Sequence, residues 1–378
     1  MYTPGANLTA KQPNNTEIPP VDGLSRWKED FFTSVIPIMC HSYNDYWRPD
    51  LVSFALGAGC MGVEVDVWLD GTSLLVGYDP SELHPNRTLR TVFLDPLLEI
   101  LIQQNPDEQW ANHTVYDRAR GVFSTQPNTP LTLLVNVKTD PQKTWEIVTA
   151  ELEPLRANQF LTRFEVVHTA PGYREKQDMW PGPITIVGTG NMNRDAYRRY
   201  VFSRPSIEVD GYTSSDHYEY HDSFYDAPLE VLPNGNLFTQ GLANGMVWTG
   251  SSQLDNADEA YFASASFNKA IGSVRMGFSR KQLNAVREQV YIAKKSNLKS
   301  RYYDLPSWPT NYRDYVWDVL SREGVDMLSI HDLESVAKRG WSKGYTRTAV
   351  WMTFVYFWLF SMSVVALLYK RLLVLGTA

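Results

Sequence analysis

The chain has 378 residues, enough for one large or two ordinary domains, and 43% of them are apolar, so a sizeable core can form. Lys and Arg number 35 against 42 Asp and Glu, and with a formal net charge of −7 and no dominant basic patch a general nucleic-acid binder is excluded. With only two cysteines, Cys40 and Cys60, no disulfide framework holds the fold.

Residues 1–34 read as a polar, Pro-rich segment ending in a short helix, "LSRWKEDFFTSV". Strand-like segments follow at Val35–Cys40, Gly62–Leu69, Ser73–Tyr78, Leu131–Lys138, Phe164–His168, Ile184–Val187, Ser206–Val209, Leu298–Tyr303 and Val325–Ile330. Helical patterns sit between several of them, at 49–58, 96–104, 142–154, 195–202, 280–296 and 312–323. Such alternation predicts an α/β fold with a parallel sheet, and about eight units over this length fit a distorted (β/α)8 TIM barrel across 35–335. Residues 214–268, rich in aromatics and turn formers, read as a loop insertion.

From Thr348 to Tyr369, "TAVWMTFVYFWLFSMSVVALLY" carries no charge. About 22 helical residues would span roughly 33 Å, which predicts a C-terminal transmembrane helix and hence a membrane partner. The basic flank at Lys338, Arg339, Lys343 and Arg347 favours a cytosolic body on a single-pass anchor. Four Asn-x-Ser/Thr sequons, at Asn7, Asn14, Asn86 and Asn112, keep a luminal body open.

Within the barrel frame the charged residues form a pattern. Positions i and i+2 of a strand face the same way, so Glu64 and Asp66 share a face, as do Asn136 and Lys138. His41 follows the first strand, while Tyr303 and Asp304 close a late one. Barrel enzymes assemble their sites at these C-terminal strand ends. Two carboxylates buried together are costly, and a divalent cation with oxygen ligands relieves that cost. The alternatives are an ion-pair set for the carboxylates, with Lys138 as its partner, and a core histidine for His41. "VGTGN", 187–191, reads as a tight turn rather than a phosphate cradle. Cys40 and Cys60, placed at opposite ends of adjacent parallel strands, are expected as free thiols.

The stretch "CHSYNDYWRPDLVSFALGAGCMGVEVDVWLDGTSLLVGYDP" resembles the fungal altered inheritance of mitochondria protein 6 family, as do "LLVNVKTD", "ITIVGTGN", "YFASASF", "RYYDLPSWP" and "GVDMLSIHDLES" in that order. That family lies in the phospholipase-C-like phosphodiesterase superfamily, with glycerophosphodiester phosphodiesterases and sphingomyelinase D, and the resemblance implies a distorted TIM barrel. It implies that His41 is the first catalytic histidine, Glu64 and Asp66 the first metal ligands, and Lys138 the accompanying lysine. Two positions depart. Tyr78 stands where the second catalytic histidine is expected, and Asn136 where a third acidic ligand is expected.

Tyrosine, with an ordinary pKa of about 10, donates a proton but is a poor base. Asn136 still offers a carbonyl oxygen, yet removes one negative charge, which weakens Mg²⁺ more than Ca²⁺. The expectation is a phosphoric diester hydrolase of lipid metabolism acting on a glycerophosphodiester or lysophospholipid headgroup. Its site comprises His41, Tyr78 and Lys138 as catalytic groups, Glu64, Asp66 and Asn136 around Mg²⁺ or Ca²⁺, and Tyr303 and Asp304 at the substrate. The alternative is a degenerate barrel, a pseudoenzyme that binds a phospholipid headgroup or a protein without turnover.

Overall fold

The computed structural model describes residues 35–43, 46, 50–106, 118–168, 176–192, 196, 202–204, 208–209, 212–213, 217–229, 259–338 and 357–363. The N-terminal segment 1–34 lies outside them, as does the expected helix 195–202 apart from Ala196 and Phe202.

The described strands are β1 (Ile38–Ser42), β2 (Cys60–Asp70), β3 (Ser73–Val76), β4 (Leu131–Val137), β5 (Arg163–His168), β6 (Lys176–Trp180), β7 (Ile184–Gly190), β8 (Phe202–Arg204), β9 (Glu208–Val209), β10 (Tyr212–Thr213), β11 (His217–His221), β12 (Ser223–Pro228), β13 (Ala260–Ser266), β14 (Lys299–Tyr303) and β15 (Met327–Ile330). The main sheet has nine strands in the order β1-β15-β14-β13-β12-β7-β4-β2-β3, and β1 also pairs with β2. That last pairing closes a barrel. Only β3 runs antiparallel, against β2, which leaves eight parallel strands in the closed ring. The TIM-like barrel expected from the alternation is therefore present.

Two of its strands come from the stretch read as a loop. β12 and β13 carry small and polar residues at inward positions, so neither presents the long aliphatic run that marks a buried parallel strand. Conversely, β5, expected in the barrel, belongs to a four-stranded side sheet of order β6-β5-β11-β8, and β9 pairs with β10 in a two-stranded sheet. Edge sheets of this kind share the barrel strands' local signals, and pairing partners are not encoded locally.

The ring is filled in two layers. Leu134, Val187, Phe224, Phe262 and Met327 form an apolar cluster of their own, separate from the larger core between barrel and helices. Two residues further along each of those strands stand Asn136, Thr189, Asp226, Ser264 and Ser329, all buried. A step of two residues keeps a side chain on the same face, so a polar layer rests on the apolar floor toward the C-terminal ends of the strands.

Helices cover the outside: α1 (Leu51–Gly57), α2 (Asp95–Gln104), α3 (Pro141–Glu151), α4 (Glu153–Ala157), α5 (Phe267–Ala270), α6 (Arg280–Lys295), α7 (Thr310–Arg322) and α8 (Leu333–Lys338). α6 starts with a capping box, Ser279 with Gln282, which satisfies two backbone N–H groups reciprocally.

Two expectations are overturned. Among the described residues no helix is long and apolar enough to cross a membrane. Of Thr348–Tyr369 only 357–363 is described, and it is helical; the rest of the expected span lies outside the described residues. Hydropathy counts apolar residues along the sequence, whereas a span requires a continuous helix, so the C-terminal transmembrane helix and the single-pass anchor are not supported. The cysteines are also not free: Cys40 and Cys60 form a disulfide with Cα atoms 4.7 Å apart. β1 runs on to Ser42 and β2 starts at Cys60, each displaced from the expected bounds. A register shift sets Ile38 opposite Cys60 and His41 opposite Gly62, which brings both cysteines to one level of the ring.

Candidate functional site

β2 delivers Glu64 and Asp66 to the barrel interior, in register with Leu134 and Asn136 of β4. The Asn136 side chain spans both carboxylates: Nδ2 donates to Asp66 Oδ1 at 2.6 Å and lies 3.4 Å from Glu64 Oε1. Lys138, just past β4, places Nζ 3.2 Å from Asp66 Oδ1. Glu64, Asp66, Asn136 and Lys138 thus meet at one mouth. Asp66 is nevertheless pushed up to about 6: burial outweighs the pull of Lys138, and Glu64 adds like-charge repulsion.

A glycine makes this contact feasible. Gly190, at φ +75°, closes β7 beside Asn136, and a Cβ there would stand 2.1 Å from Asn136 Oδ1. A second glycine seats His41. A Cβ at Gly62 would come within 1.7 Å of the His41 ring, which lies across β2. His41 is wholly buried, edge-on to Phe262 with ring centroids 5.4 Å apart, and neither ring nitrogen has a hydrogen-bond partner among the described residues. Burial, then Arg301 and Lys299, hold it well below the ordinary histidine range, so the imidazole is neutral.

Tyr78 comes one residue after Gly77, whose N–H donates to Asp66 C=O at 3.4 Å. It follows β3 on the segment where Gly77 accepts from Trp68 Nε1, and it is 60% exposed. Tyr303 is half-buried and carries the Arg301 guanidinium 5.6 Å from its ring. Asp304 adopts φ +56° at the end of β14 and accepts from Ser266 Oγ at 2.7 Å.

Five groups at the site were not singled out from the sequence. Arg301 of β14 is fully buried; Nη2 pairs with Glu64 Oε2, and Nη1 lies 3.3 Å from Asp226 Oδ2. Asp226 also accepts from Ser264 Oγ at 2.5 Å and Thr189 Oγ1 at 3.2 Å. Burial raises the Asp226 carboxyl, and Arg301 opposes that rise. Tyr46 is the fifth: its hydroxyl accepts from the Asp66 backbone N–H at 2.5 Å. Burial and then Asp66 raise its phenol well above the ordinary range, so it keeps its proton. Arg301 was open to detection by the rule that found Glu64, since it is a charge inside an expected strand. Asp226 and Ser264 were hidden in the stretch read as a loop.

Among the described residues no group of three or more His, Cys, Asp or Glu is placed to hold a metal. The donor set that remains is Glu64, Asp66 and Asn136 Oδ1, a buried acceptor without a hydrogen-bond partner among the described residues. These are hard oxygen donors of the kind Mg²⁺ and Ca²⁺ take, and turning the Asn136 amide over would present Oδ1 to the carboxylate side. The residues present therefore fit a divalent cation with two carboxylates and one amide.

A family model described as AIM6-like phosphodiesterase domain matches residues 29–204. The chain is 30% identical over 342 residues to the altered inheritance of mitochondria protein 6 homolog of Arthroderma benhamiae, covering 88% of this chain and 90% of that one. It is 30% identical over 312 residues to altered inheritance of mitochondria protein 6 of Eremothecium gossypii, covering 81% and 71%, and 26% identical over 310 residues to that of Saccharomyces cerevisiae strain S288c, covering 79% and 70%. No solved structure matches. With a closed parallel barrel and similarity along nearly its whole length, the chain belongs to the altered inheritance of mitochondria protein 6 family.

Proposed function

We propose that the chain is a phosphoric diester hydrolase acting on the headgroup of a glycerophosphodiester or lysophospholipid with a divalent cation. The observation that carries this reading is the meeting of Glu64, Asp66, Asn136 and Lys138 at the C-terminal mouth of a phosphodiesterase-like barrel. Glu64, Asp66 and Asn136 would hold Mg²⁺, with Ca²⁺ as the ion more tolerant of the amide oxygen. A bound cation supplies Lewis-acid stabilisation of charge on the phosphoryl oxygens.

The chain's own groups do the rest. Lys138 Nζ offers positive charge to the non-bridging oxygens. His41 has two ring nitrogens without protein partners among the described residues, and it would accept the proton of the attacking hydroxyl once substrate binding opens a path to its buried ring. Tyr46, whose oxygen already accepts from Asp66 N–H, keeps its own O–H proton available for the leaving oxygen. Tyr78, exposed on its turn, is assigned no proton transfer.

A second reading has its own support. Arg301 pairs with Glu64, and Asn136 donates to Asp66, so the chain itself compensates the charges that a cation would meet. That arrangement suits a degenerate barrel that binds a phospholipid headgroup or a protein without turnover. A panel of lysophospholipids and glycerophosphodiesters, incubated with and without Mg²⁺, separates the two. Product that is lost in His41→Ala supports the hydrolase; saturable headgroup binding with no product from any substrate supports the binder.

A further inference from the structure

We propose that Asn86 carries an N-linked glycan. Two independent observations meet in this inference. The first is the Cys40–Cys60 disulfide, which ties β1 to β2 inside the barrel wall. Both cysteines are fully buried. Structural disulfides form where thiols are oxidised, in the secretory pathway and outside the cell, and are rare in the reducing cytosol. N-linked glycans are attached in that same compartment.

The second observation is the placement of the sequon Asn86-Arg87-Thr88. Of the four sequons it is the one whose asparagine lies among the described residues. Asn86 is exposed, on a turn closed by Arg87 N–H donating to His84 C=O at 2.9 Å. Such an exposed turn tip is accessible to modifying enzymes. The chain then enters the sheet margin: Val76 N–H donates to Arg87 C=O at 3.0 Å, and Thr88 bridges Leu75. The asparagine therefore projects from a firmly held edge, where a bulky polar group meets solvent and displaces no core residue.

The group transfer needs a lipid-diphosphate-linked oligosaccharide as donor. The side-chain Nδ2 of Asn86 attacks the anomeric carbon, and a C–N bond forms as the anomeric C–O bond breaks. The lipid diphosphate leaves, and one amide proton is lost to the transferase's base. No oxidation or reduction accompanies the step.

The test uses the full chain from a eukaryotic host, denatured in the presence of an alkylating agent and digested without reductant. The glycosidase that releases N-linked glycans is applied in heavy-oxygen water. The expected result is a peptide spanning position 86 that is recovered only after deglycosylation, with heavy oxygen at that site, together with a linked Cys40–Cys60 peptide. Asn86→Gln should then remove one electrophoretic step from the glycosylated chain. An unmodified Asn86 peptide overturns the proposal, whether the cysteines are linked or alkylated. So does a glycan ladder unchanged in Asn86→Gln.

Discussion

Arg301 and Glu64, 237 residues apart in sequence, pair across the barrel interior with the guanidinium fully buried. The same guanidinium reaches Asp226, so one cation on β14 faces carboxylates on β2 and β12. Buried charges persist only when paired, and deleting one partner leaves the others uncompensated. Arg301→Met is expected to destabilise the fold by about 3–5 kcal/mol in urea denaturation. A loss under about 1 kcal/mol would show that water already shares the work of solvating Glu64 and Asp226.

Asn136 separates the two charges that it bridges from a third that the family pattern leads one to expect. Asn136→Asp restores a carboxylate beside Glu64 and Asp66. Without added metal the variant should melt at a lower temperature than wild type, because like charges crowd. With millimolar Mg²⁺ its melting temperature should rise more than wild type's, because a ligand that binds only the folded state stabilises it. Equal Mg²⁺ shifts in the two proteins would remove the cation from this cluster.

Tyr46 and Tyr78 make opposite demands on the same assay. Tyr46→Phe removes the acceptor of the Asp66 N–H and should cost about 1 kcal/mol of stability. It should also lower phosphodiesterase turnover at least tenfold, on the order of one lost hydrogen bond in the transition state. Tyr78→Phe, on an exposed ring, should change turnover less than twofold. The reverse ranking in kcat would return the acid's role to Tyr78.

The disulfide closes a loop of sequence separation 20. Cross-linking a loop of this size stabilises a fold by about 3 kcal/mol, chiefly through the unfolded state. The double substitution Cys40→Ala, Cys60→Ala should lower stability by roughly that amount. Its urea midpoint should no longer respond to reductant, whereas wild type's falls on reduction. A wild-type midpoint indifferent to reductant would rule out a bridge in solution.

Glu151 supplies a pH dependence away from the site. Burial pushes its carboxyl from the ordinary 4.5 up to about 7, with Arg90 opposing. Between those values the folded chain retains a proton that the unfolded chain has lost. Stability therefore falls as pH rises from about 4.5 to 7, and Glu151→Gln should flatten that part of the profile. Parallel wild-type and variant profiles across this window would exclude Glu151 as its source.

The sequence by itself determined the barrel and much of its mouth. Strand–helix alternation carries the period of each element, and in β2 and β4 the two-residue spacing of Glu64 with Asp66 and of Asn136 with Lys138 shows which groups share a face. Helices such as α6, with its capping box and amphipathic run, announce themselves locally. What lay beyond local reading was partnership. β12 and β13 hide because their inward positions, Asp226, Ser264 and Ser266, are polar, and only the closed ring makes them core. The Cys40–Cys60 bond follows from a register shift between β1 and β2 that no residue pattern encodes. Tyr78 drew its role from the resemblance rather than from local pattern, and its ring is exposed just past a strand that runs antiparallel to β2. Arg301 reaches Glu64 only because eight strands close on themselves. Ring closure is a long-range pairing of the first strand with both its neighbour β2 and the last strand β15, and that decision belongs to tertiary structure.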